Sequence, residues 1–161
     1  MKTKDIRNIG LKLGALAGGL IILYFFILYF SGIGLFDIFY KADFWVTLPL
    51  TVLGIHTIRK HMNALRFWQG LVLGFYVFIV CASIGSLFYY FFLTFIDPAF
   101  MAESFAARIA ELNGQLAQAT NSGQIEMYEG AIADIVKISK SATPYDVALD
   151  KIMVHYIIGL L

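Results

Sequence analysis

The chain has 161 residues, of which 60% are hydrophobic and 14% charged, and its formal net charge at pH 7 is +1. A typical soluble domain is about 45–50% apolar and about 25% charged, so there are too few charges to coat a water-soluble globule, and lipid is the expected solvent. The near-neutral balance removes the electrostatic case for nucleic acid. The lone Cys81 excludes a disulfide framework or a cysteine-based zinc site and reads as a small buried hydrophobe.

The first apolar run is "LKLGALAGGLIILYFFILYFSGIGLF", residues 11–36, uncharged from 13 to 30. A membrane helix needs about 20 apolar residues, and a span over about 11–34 is predicted. The basic start "MKTKDIR" raises a signal peptide, whose apolar region runs about 7–15 residues to a small-residue cleavage site. This run is longer and has no such site, which favours a retained span.

A second span, about 43–58, is carried by "FWVTLPLTVLGIHTI". Pro49 removes a backbone donor but is tolerated where neighbouring helices satisfy the freed carbonyl. Asp43 precedes the run and "RKHMNALR" follows it. The third run, residues 67–96, is free of charge and predicts a span over about 68–96. Trp68 at one end and Tyr89 and Tyr90 toward the other suit interfacial aromatic belts. Asp97-Pro98 closes the run, because the residue before proline is pushed away from helical angles.

Composition then shifts. Residues 97–150 hold eight acidic side chains and three basic ones, Arg108, Lys137 and Lys140. Met101, Phe105, Ile109, Leu112 and Leu116 recur at helical spacing, as do Ile125, Tyr128, Ile132, Ile135 and Ile138. Between them "ATNSGQ" has turn chemistry. A helical hairpin over about 99–140 is predicted, its apolar stripes packed together or laid on a bilayer surface. In "SATPYD", Thr143 suits an N-cap, Pro144 the first helical position and Asp146 the reciprocal capping place. The helix from there supplies a fourth span, about 145–161.

Lys and Arg in short flanking loops mark the inner side. Lys2, Lys4, Arg7 and Lys12 flank the first span, and Arg59, Lys60 and Arg66 separate the second and third. The loop between the first two spans has Lys41 beside Asp37 and Asp43. These agree on an inner N-terminus with residues 97–144 outside. The fourth span then heads inward and ends at Leu161 without a polar boundary, so a truncated last span is expected, continuing in a longer natural chain.

The expected fold is therefore an all-α membrane protein. One polytopic domain over 1–161 forms a four-transmembrane-helix bundle with an extracytoplasmic amphipathic hairpin between spans three and four. The layout, with "IRKHMNALRFWQGLVLGF", "YYFFLTFIDPAFMAE" and "SKSATPYDVALDKIMVHYIIGLL", resembles domain-of-unknown-function family 4199. These are small four-helix membrane proteins found mainly in Bacteroidota. The resemblance covers essentially the whole chain and implies a fold and an inner-membrane location. It brings no activity, cofactor or catalytic residue. In such relatives the last helix usually continues to basic residues, which are missing here.

Gly10, Gly14 and Gly18 in the first span, and Gly70 and Gly74 in the third, recur every four residues. That spacing lets helix backbones approach closely within the chain or between copies, although glycine is also simply common in membrane helices. His56 and His155 are the titratable groups expected at membrane depth, and Gln69 opens the third span. Ionisable groups there suggest a proton or ion path; a neutral histidine bonded to a neighbouring helix is the plainer account. His56 and His61 face different sides of a helix and make a poor metal pair. Glu126 with Glu129, and Asp146 with Asp150, read as solvated faces rather than calcium ligands. There is no phosphate loop, G-x-S-x-G or H-E-x-x-H pattern, so no catalytic residue, metal or cofactor is named.

The sequence thus leads to a non-enzymatic structural or interaction component, with the lipid bilayer and a second copy or another membrane protein as partners. The alternative is a small transporter or transporter accessory subunit, with a polar cavity bordered by His56, Thr57 or Gln69.

Overall fold

The computed structural model describes residues 3–35, 44–62 and 67–160. Among them are six α-helices and no strand. These are α1 (Thr3–Phe30), α2 (Phe44–Met62), α3 (Phe67–Phe91), α4 (Ala99–Ala117), α5 (Ser122–Ser141) and α6 (Pro144–Leu160). A π-helical turn, Phe92–Ile96, continues α3. Two stretches are long and apolar enough to cross a membrane, Asp5–Phe30 and Phe67–Ile96. Only 33% and 39% of their most apolar windows are buried, which is unlike the core helix of a soluble protein.

α1 stops four residues before the end predicted for its span, and the cause is local. Gly32 takes φ +71°, the left-handed conformation that glycine adopts without steric cost. The Ile33 N–H then donates to the Leu28 carbonyl and the Gly32 N–H to that of Tyr29, each at 3.1 Å. This double bond pattern satisfies the last carbonyls of a helix. The chain next turns back over α4, where the Leu35 N–H donates to the buried Ser104 hydroxyl at 3.0 Å.

α3 is the hub, packing against α1, α6 and α2. The contacts fix directions. Gly10, Gly14 and Gly18 of α1 meet Tyr76, Val80 and Ile84 of α3 in ascending order, so these helices run parallel. Thr47 of α2 meets Cys81 and Thr51 meets Gly74, so α2 runs antiparallel to α3. On α6, Val147 packs on the cluster holding Phe92 and Lys151 lies over Tyr89, so α6 also opposes α3. α2 continues through Pro49, and two residues later the Thr51 hydroxyl donates to the Thr47 carbonyl at 2.9 Å.

The core of the bundle is aromatic where α1, α3 and α4 meet. Phe25 is almost fully buried. Its ring centroid lies 5.1 Å from Phe88, 4.9 Å from Tyr89 and 4.7 Å from Phe92, each edge to face. That arrangement sets the positive edge of one ring on the negative face of another, worth about 0.5–1.5 kcal/mol per pair beyond burial. Tyr89 is thus a core residue at 2% exposure, a correction to its expected place in an interfacial belt. Phe67 and Trp68 at the opposite end of α3 are exposed.

α4 and α5 form the hairpin, packed on each other. Phe105 and Leu112 are buried while α5 has no buried residue. Asn121 caps α5 by accepting from the Gln124 N–H at 2.8 Å. α6 begins with a reciprocal cap: the Thr143 N–H donates to Asp146 Oδ2 at 2.8 Å, and the Asp146 N–H donates to Thr143 Oγ1 at 3.3 Å.

Candidate functional site

Three places in the bundle stand out, one for close packing and two for polar chemistry. The first is the α1–α3 seam. A Cβ added at Gly10 would lie 2.6 Å from Tyr76 Cβ. One at Gly14 would lie 2.7 Å from Val80 Cβ and 3.0 Å from the Val77 carbonyl oxygen, and one at Gly18 would lie 2.8 Å from Ile84 Cβ. These neighbours are Cβ stems and backbone, which cannot swing aside. Gly19, one residue on, faces open space. Gly54 of α2 is crowded by Leu13 of α1, a glycine that the four-residue pattern did not flag.

Gly74 differs from the α1 glycines, since a Cβ there would make an ordinary contact with Thr51 Cγ2 at 3.5 Å. Gly70 is half-buried near the start of α3. The seam is therefore tight on the α1 side and formed by side-chain stems on the α3 side.

The second place is the junction between α1, the π turn and α4. A π turn carries an extra residue per hydrogen-bonded ring, and such turns cluster at functional sites. Here the Asp97 N–H donates to the Phe92 carbonyl at 2.9 Å. The Tyr29 hydroxyl donates to Asp97 Oδ2 at 2.8 Å, while Asp97 Oδ1 accepts from the Phe100 N–H at 3.1 Å. One carboxylate therefore ties the end of α1 to the start of α4. Beside it lies an open cleft of about 600 Å³ lined by Tyr29, Asp97, Phe100, Glu103 and Ser104 among others. The sequence marked Asp97 only as a helix stop.

The third place joins α3 and α6. The Lys151 ammonium lies 4.8 Å from the centroid of the Tyr89 ring, within range of a cation–π contact. Lys151 and the buried Ser86, with Cys81 and Gly85, line a crevice with no room for a water molecule. The Ser86 hydroxyl is buried without a hydrogen-bond partner. Cys81 Sγ and Thr47 Oγ1 lie 3.4 Å apart in a hydrogen bond. Lys151 comes seven residues after Pro144, about 10 Å along the helix. Sequence reasoning did not single it out; its periodicity relative to Val147, four residues earlier on the same face, was the available signal.

His56 is exposed on α2, and Gln69 is half-buried at the start of α3. The side chains of Thr57 and His155 lie outside the described residues, as does Leu161, on which the expectation about the chain's end falls. Glu126, Glu129, Asp146 and Asp150 are exposed.

With this geometry in hand, comparison by family finds one match: residues 12–161 fit the model described as "Protein of unknown function (DUF4199)". The chain belongs to this family. Membership agrees with the resemblance carried by "FWQG" and "FIDPAF". Neither the curated proteins nor the solved structures yield a match.

Proposed function

We propose that this member of the family is a non-enzymatic, polytopic protein of the bacterial inner membrane that serves as a structural or interaction component. In this reading α1, α2, α3 and α6 are four spans, the N-terminus is cytoplasmic, and the α4–α5 hairpin stands outside. The observation that carries it is a belt of large apolar side chains facing away from the bundle. Leu16, Leu23 and Ile27 on α1, Leu48 and Val52 on α2, and Leu71, Phe75 and Leu87 on α3 are all exposed. Contiguous exposed apolar surface of this kind marks a membrane or protein contact. The alternating helix directions fit successive crossings, and the Lys and Arg distribution fits an inner N-terminus.

The interaction role draws on the hairpin, whose outer helix α5 packs chiefly on α4 and leaves Met127 and Ile138 exposed. Cysteine accessibility tests the topology. In a Cys81→Ala background, a membrane-impermeant maleimide should label Ser122→Cys in intact cells and Asn63→Cys only after permeabilisation; the reverse pattern refutes the orientation. A photocrosslinker at Tyr128 should capture a second copy or another membrane protein, and recovery of monomer alone counts against the interaction role.

The runner-up, a small transporter or accessory subunit, has one observation in its favour. Lys151 is a cation beside a buried hydroxyl in a helix assigned to the membrane, and ionisable groups at such depth are commonly functional. Ion flux in vesicles that disappears in Lys151→Gln would favour it; flux unchanged from empty vesicles removes it.

A further inference from the structure

The cleft at the junction of α1, the π turn and α4 carries charge of one sign. Asp97 and Glu103 line it, and no lysine, arginine or histidine stands among its described lining residues. Arg108, the next residue along α4 after the lining Ala107, is engaged by Glu111. The two acids are held differently. Asp97 is fixed by the Tyr29 hydroxyl and the Phe100 N–H, one on each carboxylate oxygen. Glu103 is exposed and forms no ion pair or hydrogen bond among the described residues. Ser104 beside it is 4% exposed and accepts from the Leu35 N–H, while its own proton has no acceptor among the described residues. A buried O–H in the lining is thus left for an acceptor on a ligand, because burying an unmade donor is costly.

The rest of the wall is largely aromatic. Tyr29 stands edge to face with Phe30 and Phe100, at centroid distances of 5.4 and 5.0 Å and interplanar angles of 69° and 79°. Rings in crossed planes beside a carboxylate suit an organic cation: the ring faces attract its charge, the carboxylate balances it, and both cover its carbon. A bare metal ion fits poorly. Calcium takes six to eight oxygens at about 2.3–2.6 Å, and the described residues hold no group of three or more metal-ligating side chains. An anion would meet two carboxylates. The cleft volume of about 600 Å³ lies within the range of about 300–1,000 Å³ for small-molecule sites.

We propose that this cleft binds an organic ammonium ion, with Asp97 and Glu103 balancing its charge and Tyr29, Phe30 and Phe100 covering its apolar substituents. The site stands on the described residues alone; only the source of its ligand draws on the membrane reading. The Tyr29–Asp97 bond ties together the ends of the two membrane-length stretches, Asp5–Phe30 and Phe67–Ile96. In that reading the cleft lies at the level of the lipid headgroups. A free ammonium solute and the ammonium of a phospholipid headgroup both reach it there.

Choline is the probe, titrated calorimetrically into the full chain in an uncharged detergent. The comparison ligand is its neutral isostere, in which a quaternary carbon replaces the nitrogen and the hydroxyl is kept. Choline should bind saturably and the isostere several-fold more weakly. Glu103→Gln should weaken choline by up to about fivefold, and Phe30→Ala by about two- to fivefold. Both side chains are exposed, so neither change threatens the fold. Glu126→Gln, on α5 and outside the cleft, should leave the affinity unchanged. A competition assigns the source. Dihexanoyl phosphatidylethanolamine displacing choline at lower concentration than ethanolamine does identifies a lipid headgroup; equal displacement identifies a free solute, and either result supports the site.

Absence of choline binding, equal binding of the isostere, or full affinity in both Glu103→Gln and Phe30→Ala overturns the site and leaves the membrane reading standing. Equal displacement by dihexanoyl phosphatidylglycerol, which carries no ammonium, also overturns it. A chain that stays monodisperse without detergent overturns the membrane reading instead, and the same titration in buffer then tests the site by itself.

Discussion

The α1–α3 seam and the α4–α5 hairpin are both packed pairs of helices containing glycine, and glycine has opposite consequences in them. In the seam, Gly10, Gly14 and Gly18 sit where any Cβ would collide with the Cβ stems or backbone of α3. In the hairpin, Gly114 and Gly130 face open space. The difference follows from what drives each pair together. Side chains leaving water drive the hairpin, where buried Phe105 and Leu112 dominate α4 and backbone distance is secondary. In the proposed membrane setting, two helices already in an apolar solvent would gain little from transfer, so close contact between backbones would become the main source of association.

Substitutions can break or sharpen that contrast. The largest effect is expected for Gly14→Leu combined with Gly18→Leu, which places several heavy atoms where one does not fit. A loss above about 3 kcal/mol is expected, read as thermal unfolding in detergent; unchanged stability and particle size would remove the seam as a determinant. Gly14→Ala alone should cost about 1–3 kcal/mol, whereas Gly19→Ala on the same helix should be close to neutral. Equal effects at the two positions would mean helix propensity, not packing, is being measured.

A smaller effect is expected at the cap that leads from the hairpin into α6. Thr143→Ala removes the hydroxyl that accepts the Asp146 N–H and should cost about 1 kcal/mol, seen as faster hydrogen exchange at the amides of Asp146 and Val147. The smallest change runs the other way. Gly130→Ala should stabilise the hairpin by about 0.5–1 kcal/mol, since a helix-interior glycine loses more backbone freedom on folding than alanine does. Destabilisation there would reveal a contact that α5 makes in the assembled protein.

Much of the helical layout is legible because it is set by local signals. The Thr143–Asp146 cap, the Asp97-Pro98 stop and the Asn121 turn can be read from single residues whose side chains bond their own backbone. The early end of α1 was also readable: Gly32 is the first glycine after the uncharged stretch that ends at residue 30, the usual place for a left-handed cap. Tyr89 and Lys151 were not. Tyr89 has the composition of an interfacial residue, and only the convergence of Phe25, Phe92 and Phe88 makes it core. Lys151 has the composition of a flank, and only the antiparallel run of α6 along α3 puts its ammonium over a ring.

By itself, then, the sequence determined six helices and the uneven spread of their charges, since these depend on backbone propensity, capping and composition within a few residues. Only the tertiary structure decided which glycines are irreplaceable, that α1 and α3 run side by side in the same direction, and that one aspartate ties two helix ends together. Such facts depend on which residue of a distant helix arrives opposite, and a four-residue repeat of small side chains does not encode its partner.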